Sequence, residues 1–281
     1  MIQLIMFFLI SLVAPIESKA MMRALNTAAS GMAAQEAVVN TIANNIANLS
    51  TVGFKKSRTE TDDLNYQTII EPGARTNSDT FHNVGVQIGS GAKVSAVRKH
   101  FTQGEPNITN NPFDLMINGD GFFGIVLPNG NLKYTRDGAF NVNNQGRLVN
   151  KNGYAVFPDM SFPPGTSQVN ISEDGMVDAY VNGQQEPLKL GQIAVFTFIN
   201  PVGLKSLGKN LYDATVASGA PTQQTPSTNN AGGIMQGALE SSNVNIMSEM
   251  TELIRAQRAY EMNSKVMGIA DKMLQTVNNI R

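Results

Sequence analysis

The sequence contains no cysteine and no tryptophan, only two histidines, and few charges of either sign. The absence of cysteine excludes disulfides, thiolate nucleophiles and metal sites that rely on cysteine ligands. Lys and Arg number 21 and Asp and Glu number 22, so the formal net charge is −1 and 15% of the 281 residues are charged. Sequence-independent binding of nucleic acid requires a basic face, which this composition argues against. The composition favours a folded chain whose polar surface is largely uncharged.

Long apolar runs are also scarce, and the longest one lies at the N-terminus. Residues 1–15 are mostly apolar and end at Pro15, whereas a membrane-spanning helix needs about 20 apolar residues. The run fits the core of a signal peptide, and Ser18-Lys19-Ala20 fits a cleavage site, but no Lys or Arg precedes it. Met21-Met22 follow directly. Two interpretations stay open: a signal or anchor, and a start codon placed too far upstream.

Apolar residues recur at alternating spacings of three and four near both ends of the chain. This heptad pattern is typical of helices that pack lengthwise against other helices. The N-terminal seam includes Ala28 and the polar Gln35, and a second C-terminal seam comprises Met262, Val266, Ile269, Met273 and Ile280. The candidate subunit-assembly residues are Leu25, Met32, Val39, Ile42, Ile46, Leu49, Ile246, Met250, Leu253, Tyr260, Met267 and Leu274.

Four asparagines flank the N-terminal seam, at Asn40, Asn44, Asn45 and Asn48. Asparagine prefers helix caps and turns, so its repeated use in a helix requires an explanation. Either the amides form a solvated helix surface, or they donate and accept hydrogen bonds at contacts with neighbouring subunits.

The middle of the chain has the pattern of antiparallel β-structure. Short β-rich runs alternate with Asn-Gly and Asp-Gly pairs, which favour the tight turns of hairpins. The pairs are Asn129-Gly130, Asp137-Gly138, Asn152-Gly153, Asp174-Gly175 and Asn182-Gly183.

These patterns predict an α+β fold, in which paired, coiled-coil-like terminal helices flank an extended connector and a mainly antiparallel, hairpin-rich β-domain. The predicted segments are an apolar extension (1–20), an N-terminal helix (21–52), a connector (53–83), a β-rich domain (84–220), a linker (221–240) and a C-terminal helix (241–281).

Catalytic and cofactor motifs are scarce in this sequence. Residues 119–124 match G-x-G-x-x-G, but the residues that follow predict a strand, whereas a dinucleotide site needs a helix there. We therefore expect a β-turn whose glycines adopt positive φ, followed by a strand across which Phe122 and Phe123 alternate. Met116 and Leu127 would occupy the first and last positions of a calcium loop, and neither can bind calcium. The sequence predicts no enzyme activity, no metal, no cofactor and no small-molecule substrate.

Several separated blocks resemble one known family. MMRALNTAASGM and NTIANNIANLSTVGFKKSR resemble the N-terminal segment of the flagellar rod and hook proteins, and QGALESSNVNIMSEMTELIRAQRAYEMNSKVM resembles their C-terminal segment. The interior blocks DDLNYQTIIEPGA, FTQGEPNITNNPFDLMINGDGFF and NPVGLKSLGKNLYDAT resemble the distal rod members. The resemblance covers about residues 21–281.

The resemblance implies a structural subunit of the distal rod, whose terminal helices stack into a hollow helical tube that transmits torque from motor to hook. The resemblance also implies the partners: further copies of the same chain, the proximal rod proteins, the hook protein, the L and P ring proteins and the flagellar export apparatus. It also implies a basal-body location and export without a cleaved signal peptide, which favours an upstream start codon for residues 1–20. Residues 66–81 resemble the insertion that distinguishes the distal rod. The alternatives are a proximal rod or hook subunit and, in a different class, a secreted monomeric β-domain that acts as a binding module.

Overall fold

The computed structural model describes residues 2–73, 75–77, 80–81, 83–182, 186–228 and 231–279. The chain forms two compact units. The first, called the helical unit, comprises residues 1–44, 57–98 and 247–281. The second, called the β unit, comprises residues 45–56 and 99–246. The α+β class predicted from the sequence is confirmed.

Two long helices dominate the helical unit. Helix α1 spans Ile2–Ala47 and helix α2 spans Ile246–Asn279. Helix α1 begins before the predicted start at residue 21 and ends before the predicted end at residue 52. Turns follow it up to Gly53, whose positive φ lies beyond the helix end. Helix α2 begins after Ser241, Ser242 and Asn243, and its first turn contains the acidic Glu249, which suits the positive end of the helix dipole.

The predicted connector forms a two-stranded antiparallel ribbon within the helical unit. Strand β1 pairs with β6, β2 with β5 and β3 with β4, so the pairs are nested along one hairpin. Ala74, Ser78 and Asp79 of the predicted rod insertion lie outside the described residues. The strands are β1 (Ser57–Asp63), β2 (Tyr66–Ile70), β3 (Arg75–Asn77), β4 (Thr80–Phe81), β5 (Val86–Gly89) and β6 (Ala92–Lys99).

The β unit contains sixteen short strands in its described residues, and most neighbours are antiparallel. The first eight are β7 (Pro106–Ile108), β8 (Leu115–Asn118), β9 (Phe122–Val126), β10 (Leu132–Thr135), β11 (Phe140–Val142), β12 (Leu148–Asn150), β13 (Ala155–Val156) and β14 (Thr166–Ile171). The others are β15 (Met176–Val181), β16 (Leu188–Gln192), β17 (Val195–Thr197), β18 (Lys205–Gly208), β19 (Leu211–Asp213), β20 (Thr222–Gln224), β21 (Gly233–Gln236) and β22 (Ala238–Glu240).

Strand β9 is the centre of the main sheet. Seven of its nine strands lie in the order β11-β12-β13-β9-β10-β19-β18. The other two are β17, which also pairs with β9, and β20, which pairs with β17. The two predicted faces of β9 are confirmed: Phe123 joins a large aliphatic core with Phe140 and Ile125, whereas Phe122 joins a smaller aromatic cluster with Tyr134 and Tyr212. A strand, not a helix, follows the glycines of residues 119–124.

Three of the predicted hairpin turns are confirmed. Gly130, Gly153 and Gly175 each have positive φ and connect consecutive antiparallel strands. The hairpin predicted at Asp137-Gly138 is wrong, because the strands on either side of it do not pair with each other. The Asp137 carboxylate instead accepts a hydrogen bond from Lys151 Nζ at 2.7 Å. Gly183 of the fifth pair lies outside the described residues.

The segment 221–240, predicted as a linker, contains strands. Strand β20 pairs with β17, β21 with β8 and β22 with β7, so this segment completes three sheet edges. Its Pro-, Thr- and Gln-rich start resembles a linker in composition, yet Ile234 and Ala238 are buried in the β unit. Burial of the apolar residues in its second half outweighs the loop-like composition of the first.

Tyr212 provides a test of the aromatic cluster. Burial raises the pKa of its phenol to about 12, from an ordinary value of 10.0. The unfolded chain would ionise this group near pH 10 while the folded chain retains the proton. The stability that the neutral phenol provides is therefore present below pH 10 and is lost as the pH rises to about 12.

The free energy of unfolding should fall by about 2–3 kcal/mol over this pH range. Because phenylalanine cannot ionise, we expect Tyr212→Phe to abolish this decline. Denaturant unfolding of both proteins across this pH range measures the difference. An equal decline in the free energy of unfolding for the two proteins would contradict the assignment.

Candidate functional site: assembly surfaces and a buried ion cluster

Helix α1 is covered along its predicted seam. Ala28 and Ile42 are buried, and the other seam residues from Leu25 to Leu49 are half-buried. The small residue Gly31 marks a close approach to α2, since a Cβ added there would lie 2.9 Å from Nδ2 of Asn263. The two helices therefore contact each other within a single chain.

The ribbon lies along α1, and three polar contacts mark its course. Thr41 Oγ1 and Thr59 Oγ1 are 2.8 Å apart, and an Arg23 guanidinium nitrogen donates to Gln67 Oε1 at 3.0 Å. Between these contacts, the Ala92 amide donates to Ser30 Oγ at 3.4 Å. The chain thus leaves α1 and returns along it as paired strands.

Helix α2 has one covered stripe and one exposed apolar face. Ala256 and Ala270 are buried, and the predicted seam residues Leu253, Met267 and Leu274 are half-buried. Ile246, Met250 and Tyr260 of the same predicted seam are exposed. The second seam is exposed at Met262, Val266, Ile269 and Met273, whereas Ile280 lies outside the described residues.

The asparagines beside the N-terminal seam divide into two kinds. Asn40 and Asn44 are exposed and Asn48 is half-buried, which fits a polar helix surface. Asn45 differs, because only 1% of it is exposed. A solvated helix surface is therefore the wrong interpretation for Asn45, since the folded chain itself covers it.

Three charged side chains are buried together in the β unit, and their pattern was not predicted from the sequence. Lys55, Arg136 and Glu240 are 0%, 3% and 1% exposed. The Lys55 ammonium donates to Glu240 Oε1 and, at 2.7 Å, to the Thr102 carbonyl oxygen. Arg136 donates to Glu240 Oε2 at 3.4 Å. We call these three residues the ion cluster.

Backbone groups complete the ion cluster. The Gly104 amide donates to Glu240 Oε1 at 3.0 Å, and Arg136 donates to the Gly119 carbonyl oxygen at 2.7 Å. Burial lowers the pKa of Lys55 and of Arg136, and the Glu240 carboxylate beside them raises both. Burial is the larger effect, so the pKa of each cation lies below its ordinary value, and Glu240 provides the buried counter-charge for both.

Other chemistry is sparse in the part of the chain that the structure describes. No group of three or more His, Asp or Glu residues is placed to hold a metal ion there. Within the same residues, no helix is long and apolar enough to cross a membrane.

Comparison with known proteins accounts for most of the chain. Residues 25–55 match the family model for flagella basal body rod proteins. Residues 116–179 match the flagellar hook protein FlgE/F/G D1 domain, and residues 235–280 match the flagellar basal body rod FlgEFG protein C-terminal model.

Three similar proteins from different bacteria are all named flagellar basal-body rod protein FlgG. The flagellar basal-body rod protein FlgG of Caulobacter vibrioides is 47% identical over 92% of this chain and 100% of its own length. The FlgG of Borreliella burgdorferi is 46% identical over 93% of this chain and 99% of its own length. The FlgG of Bacillus subtilis is 35% identical over 93% of this chain and 100% of its own length. The chain belongs to the FlgG family of flagellar basal-body rod proteins. The family resemblance inferred from the sequence blocks is thereby confirmed.

FlgG-family membership places the chain among structural rod proteins of the flagellar basal body, so its functional sites are contact surfaces. The family models cover α2, the C-terminal half of α1 and part of the β unit, which contain the helix faces and all three members of the ion cluster. No local sequence signal marked this cluster, because Lys55 is followed by Lys56, Arg136 by Asp137 and Glu240 by two serines.

The ion cluster predicts a large stability cost for one isosteric change. Glu240→Gln would leave two buried cations without their buried counter-charge, so we expect the free energy of unfolding to fall by about 3–5 kcal/mol. Denaturant unfolding followed by circular dichroism measures this loss.

The matched control is Asp159→Asn, which alters an ion pair whose two side chains are about half exposed. We expect a loss of about 0–1 kcal/mol for this control. Similar losses for the two amide variants would show that the ion cluster contributes no more than a surface pair.

Proposed function

We propose that this FlgG-family chain is a structural subunit of the distal rod, and that copies of it polymerise through their terminal helices into a hollow helical tube. The tube transmits torque from the motor to the hook. The observation that carries this proposal is the exposed apolar face of α2, which a single chain leaves uncovered.

The apolar face of α2 has the spacing of a packing surface. Met262, Val266, Ile269 and Met273 follow each other at intervals of four, three and four residues, and all are exposed. Burying each of these side chains would stabilise a contact by about 1.5–3 kcal/mol. A helix of a second copy is the natural occupant, because the heptad spacing suits helix-on-helix packing.

The ribbon supports the same proposal. Its apolar residues Tyr66, Ile69, Val86 and Ile88 are exposed, and a two-stranded ribbon is only marginally stable in water. Neighbouring copies in a polymer would cover these side chains. The ribbon includes the predicted rod insertion at residues 66–81.

Further assignments are part of the same proposal. The two helices of one subunit pair in a coiled-coil-like manner, and the subunits contact proximal rod proteins, hook protein and the L and P ring proteins. The chain leaves the cell through the flagellar export apparatus without a cleaved signal peptide, and the rod spans the periplasm to the outer membrane. Its role requires no catalysis, cofactor, nucleic acid or small-molecule substrate.

Substitution of the exposed face of α2 tests the proposal. Val266 is exposed in the single chain, so Val266→Asp should leave the circular dichroism spectrum of the monomer unchanged. In a polymer the carboxylate would be buried, at a cost of several kcal/mol per subunit. We expect rods in the parent protein and none in this variant, as measured by light scattering and negative-stain microscopy.

Gln257→Asp is the control, because it places the same carboxylate at an exposed position of the same helix that lies off the apolar face. We expect this control to assemble. Normal rods from Val266→Asp would contradict the assembly face, whereas a parent protein that stays monomeric at high concentration would favour a monomeric binding module.

Excision of the outer ribbon is a second test. Residues 66–89 can be removed at a natural junction, since Ser90 Oγ donates to the Asn65 carbonyl oxygen at 2.8 Å and the Leu64 amide donates to the Gly91 carbonyl oxygen at 2.8 Å. We expect the β unit to stay folded and the rods to change in stiffness or curvature. Straight rods of parental stiffness by electron microscopy would count against this role.

A further inference from the structure

The tips of two hairpins carry the same dipeptide, asparagine followed by glycine. Asn129-Gly130 lies between β9 and β10, and Asn152-Gly153 lies between β12 and β13. In this dipeptide the glycine amide nitrogen can attack the asparagine side chain, because glycine lacks the Cβ that would hinder the approach. The chemistry is available to both turns, so the surroundings of each turn decide how fast it proceeds. The third such pair begins at Asn182, and its glycine lies outside the described residues.

The reaction in question is a spontaneous deamidation. The backbone nitrogen of Gly130 attacks Cγ of Asn129 and loses its proton, while the side-chain nitrogen takes up a proton and leaves as ammonia. The product is a cyclic succinimide. Water then opens the ring at either of its carbonyl carbons and gives aspartate or isoaspartate. The overall reaction consumes water and releases ammonia, and it needs no enzyme, oxidant or cofactor.

Both turns protect the attacking nitrogen when they are closed. The Gly130 amide donates to the Leu127 carbonyl oxygen at 2.9 Å, and the Gly153 amide donates to the Asn150 carbonyl oxygen at 2.8 Å. A Cβ placed on either glycine would meet nothing within 4 Å, so steric crowding does not distinguish the two turns. The nitrogen becomes free only when the turn opens locally, and the reaction therefore proceeds from the open turn.

The second turn is held closed by a side chain that the first turn lacks. Asn150 Oδ1 accepts hydrogen bonds from the amides of Asn152 and Tyr154, both at 3.0 Å. The equivalent position in the first turn is occupied by Leu127, whose side chain cannot accept a hydrogen bond. Pro128 presets one dihedral angle of the first turn but adds no hydrogen bond that would hold it closed. The first turn therefore opens more readily than the second.

The side chain of Asn129 is also better placed to react. It is exposed, and its Oδ1 accepts a hydrogen bond from the Asn131 amide at 3.1 Å. This donor polarises the carbonyl that is attacked, and the bond is local, so it does not require the Gly130 bond to be closed. Asn152 is half-buried, and its Nδ2 is shielded from solvent without a hydrogen-bond partner in the described part of the chain. Water therefore reaches the departing nitrogen of Asn129 more readily than that of Asn152.

We propose that Asn129 is a site of spontaneous modification, at which the folded protein accumulates aspartate and isoaspartate, and that Asn152 is protected. Each event adds a negative charge to a chain whose formal net charge is −1. Isoaspartate also inserts a methylene group into the backbone of the turn that follows β9, the central strand of the main sheet. A long-lived subunit thus acquires a chemical record of its age at an exposed turn. The modification requires only the folded chain and is independent of the proposed rod function.

Peptide mapping by mass spectrometry tests the assignment on the intact chain. Folded protein is incubated in mildly alkaline buffer, and the deamidated fraction at each asparagine is followed with time. We expect Asn129 to convert about tenfold faster than Asn152, since the second turn has two additional hydrogen bonds to break when it opens. In concentrated denaturant both turns are absent, and the two rates should become similar. Comparable rates in the folded protein, faster conversion of Asn152, or an equal difference in denaturant would each overturn the proposal.

Exchange of one residue between the turns provides a matched control. Leu127→Asn gives the first turn the side-chain acceptor of the second and should slow the conversion of Asn129 several-fold. Asn150→Leu removes that acceptor from the second turn and should speed the conversion of Asn152 by a similar factor. Circular dichroism verifies that each variant is folded, and the unchanged turn of the same molecule serves as the internal reference. Unaltered rates in a folded variant would contradict the protective role of Asn150.

Discussion

The β unit depends on one buried carboxylate, Glu240, which is paired with two buried cations, Lys55 and Arg136. Lys55 lies shortly after α1, and Glu240 lies shortly before α2, so the ion cluster joins the segments that continue into the two helices. Arg136 adds the centre of the β unit to the same cluster. Buried charges are tolerated only when they are paired and hydrogen-bonded. The three segments that carry Lys55, Arg136 and Glu240 are therefore held together within the β unit.

The helical unit uses different residues for contacts within the chain and for the surface that it leaves open. The covered stripe contains the small residues Ala28, Gly31 and Ala256, which permit close helix approach. The exposed face of α2 contains Met262, Val266 and Met273, whose large apolar side chains are otherwise costly to leave in water. A subunit that folds alone and then polymerises requires both kinds of surface. The small residues are used for contacts within the chain, and the large apolar side chains of α2 remain exposed for contact with a neighbour.

Sequence periodicity predicted the elements whose signal is local and repeated. The terminal helices follow from heptad spacing. The turns at Gly130, Gly153 and Gly175 follow from the need of a three-residue hairpin loop for positive φ at its last residue. The opposite faces of Phe122 and Phe123 follow from the period of two in a strand. The candidate assembly residues were identified by the same spacing, but spacing alone does not say which seam a single chain covers and which it leaves exposed.

Features that depend on contacts distant in sequence could not be read in this way. Asn45 looks like a surface residue in its helix and is buried in the fold, and the segment 221–240 looks like a linker until its partners in β17, β8 and β7 are known. The scarcity of charge has a consequence that only the structure exposes. The proposed contact face on α2 has uncharged, apolar side chains at its centre, so the packing of these side chains is its main interaction. Such packing specifies one register only if the helix that carries the face is held in place. The close approach of α1 to α2, where Gly31 lies against Asn263, holds α2 within the helical unit.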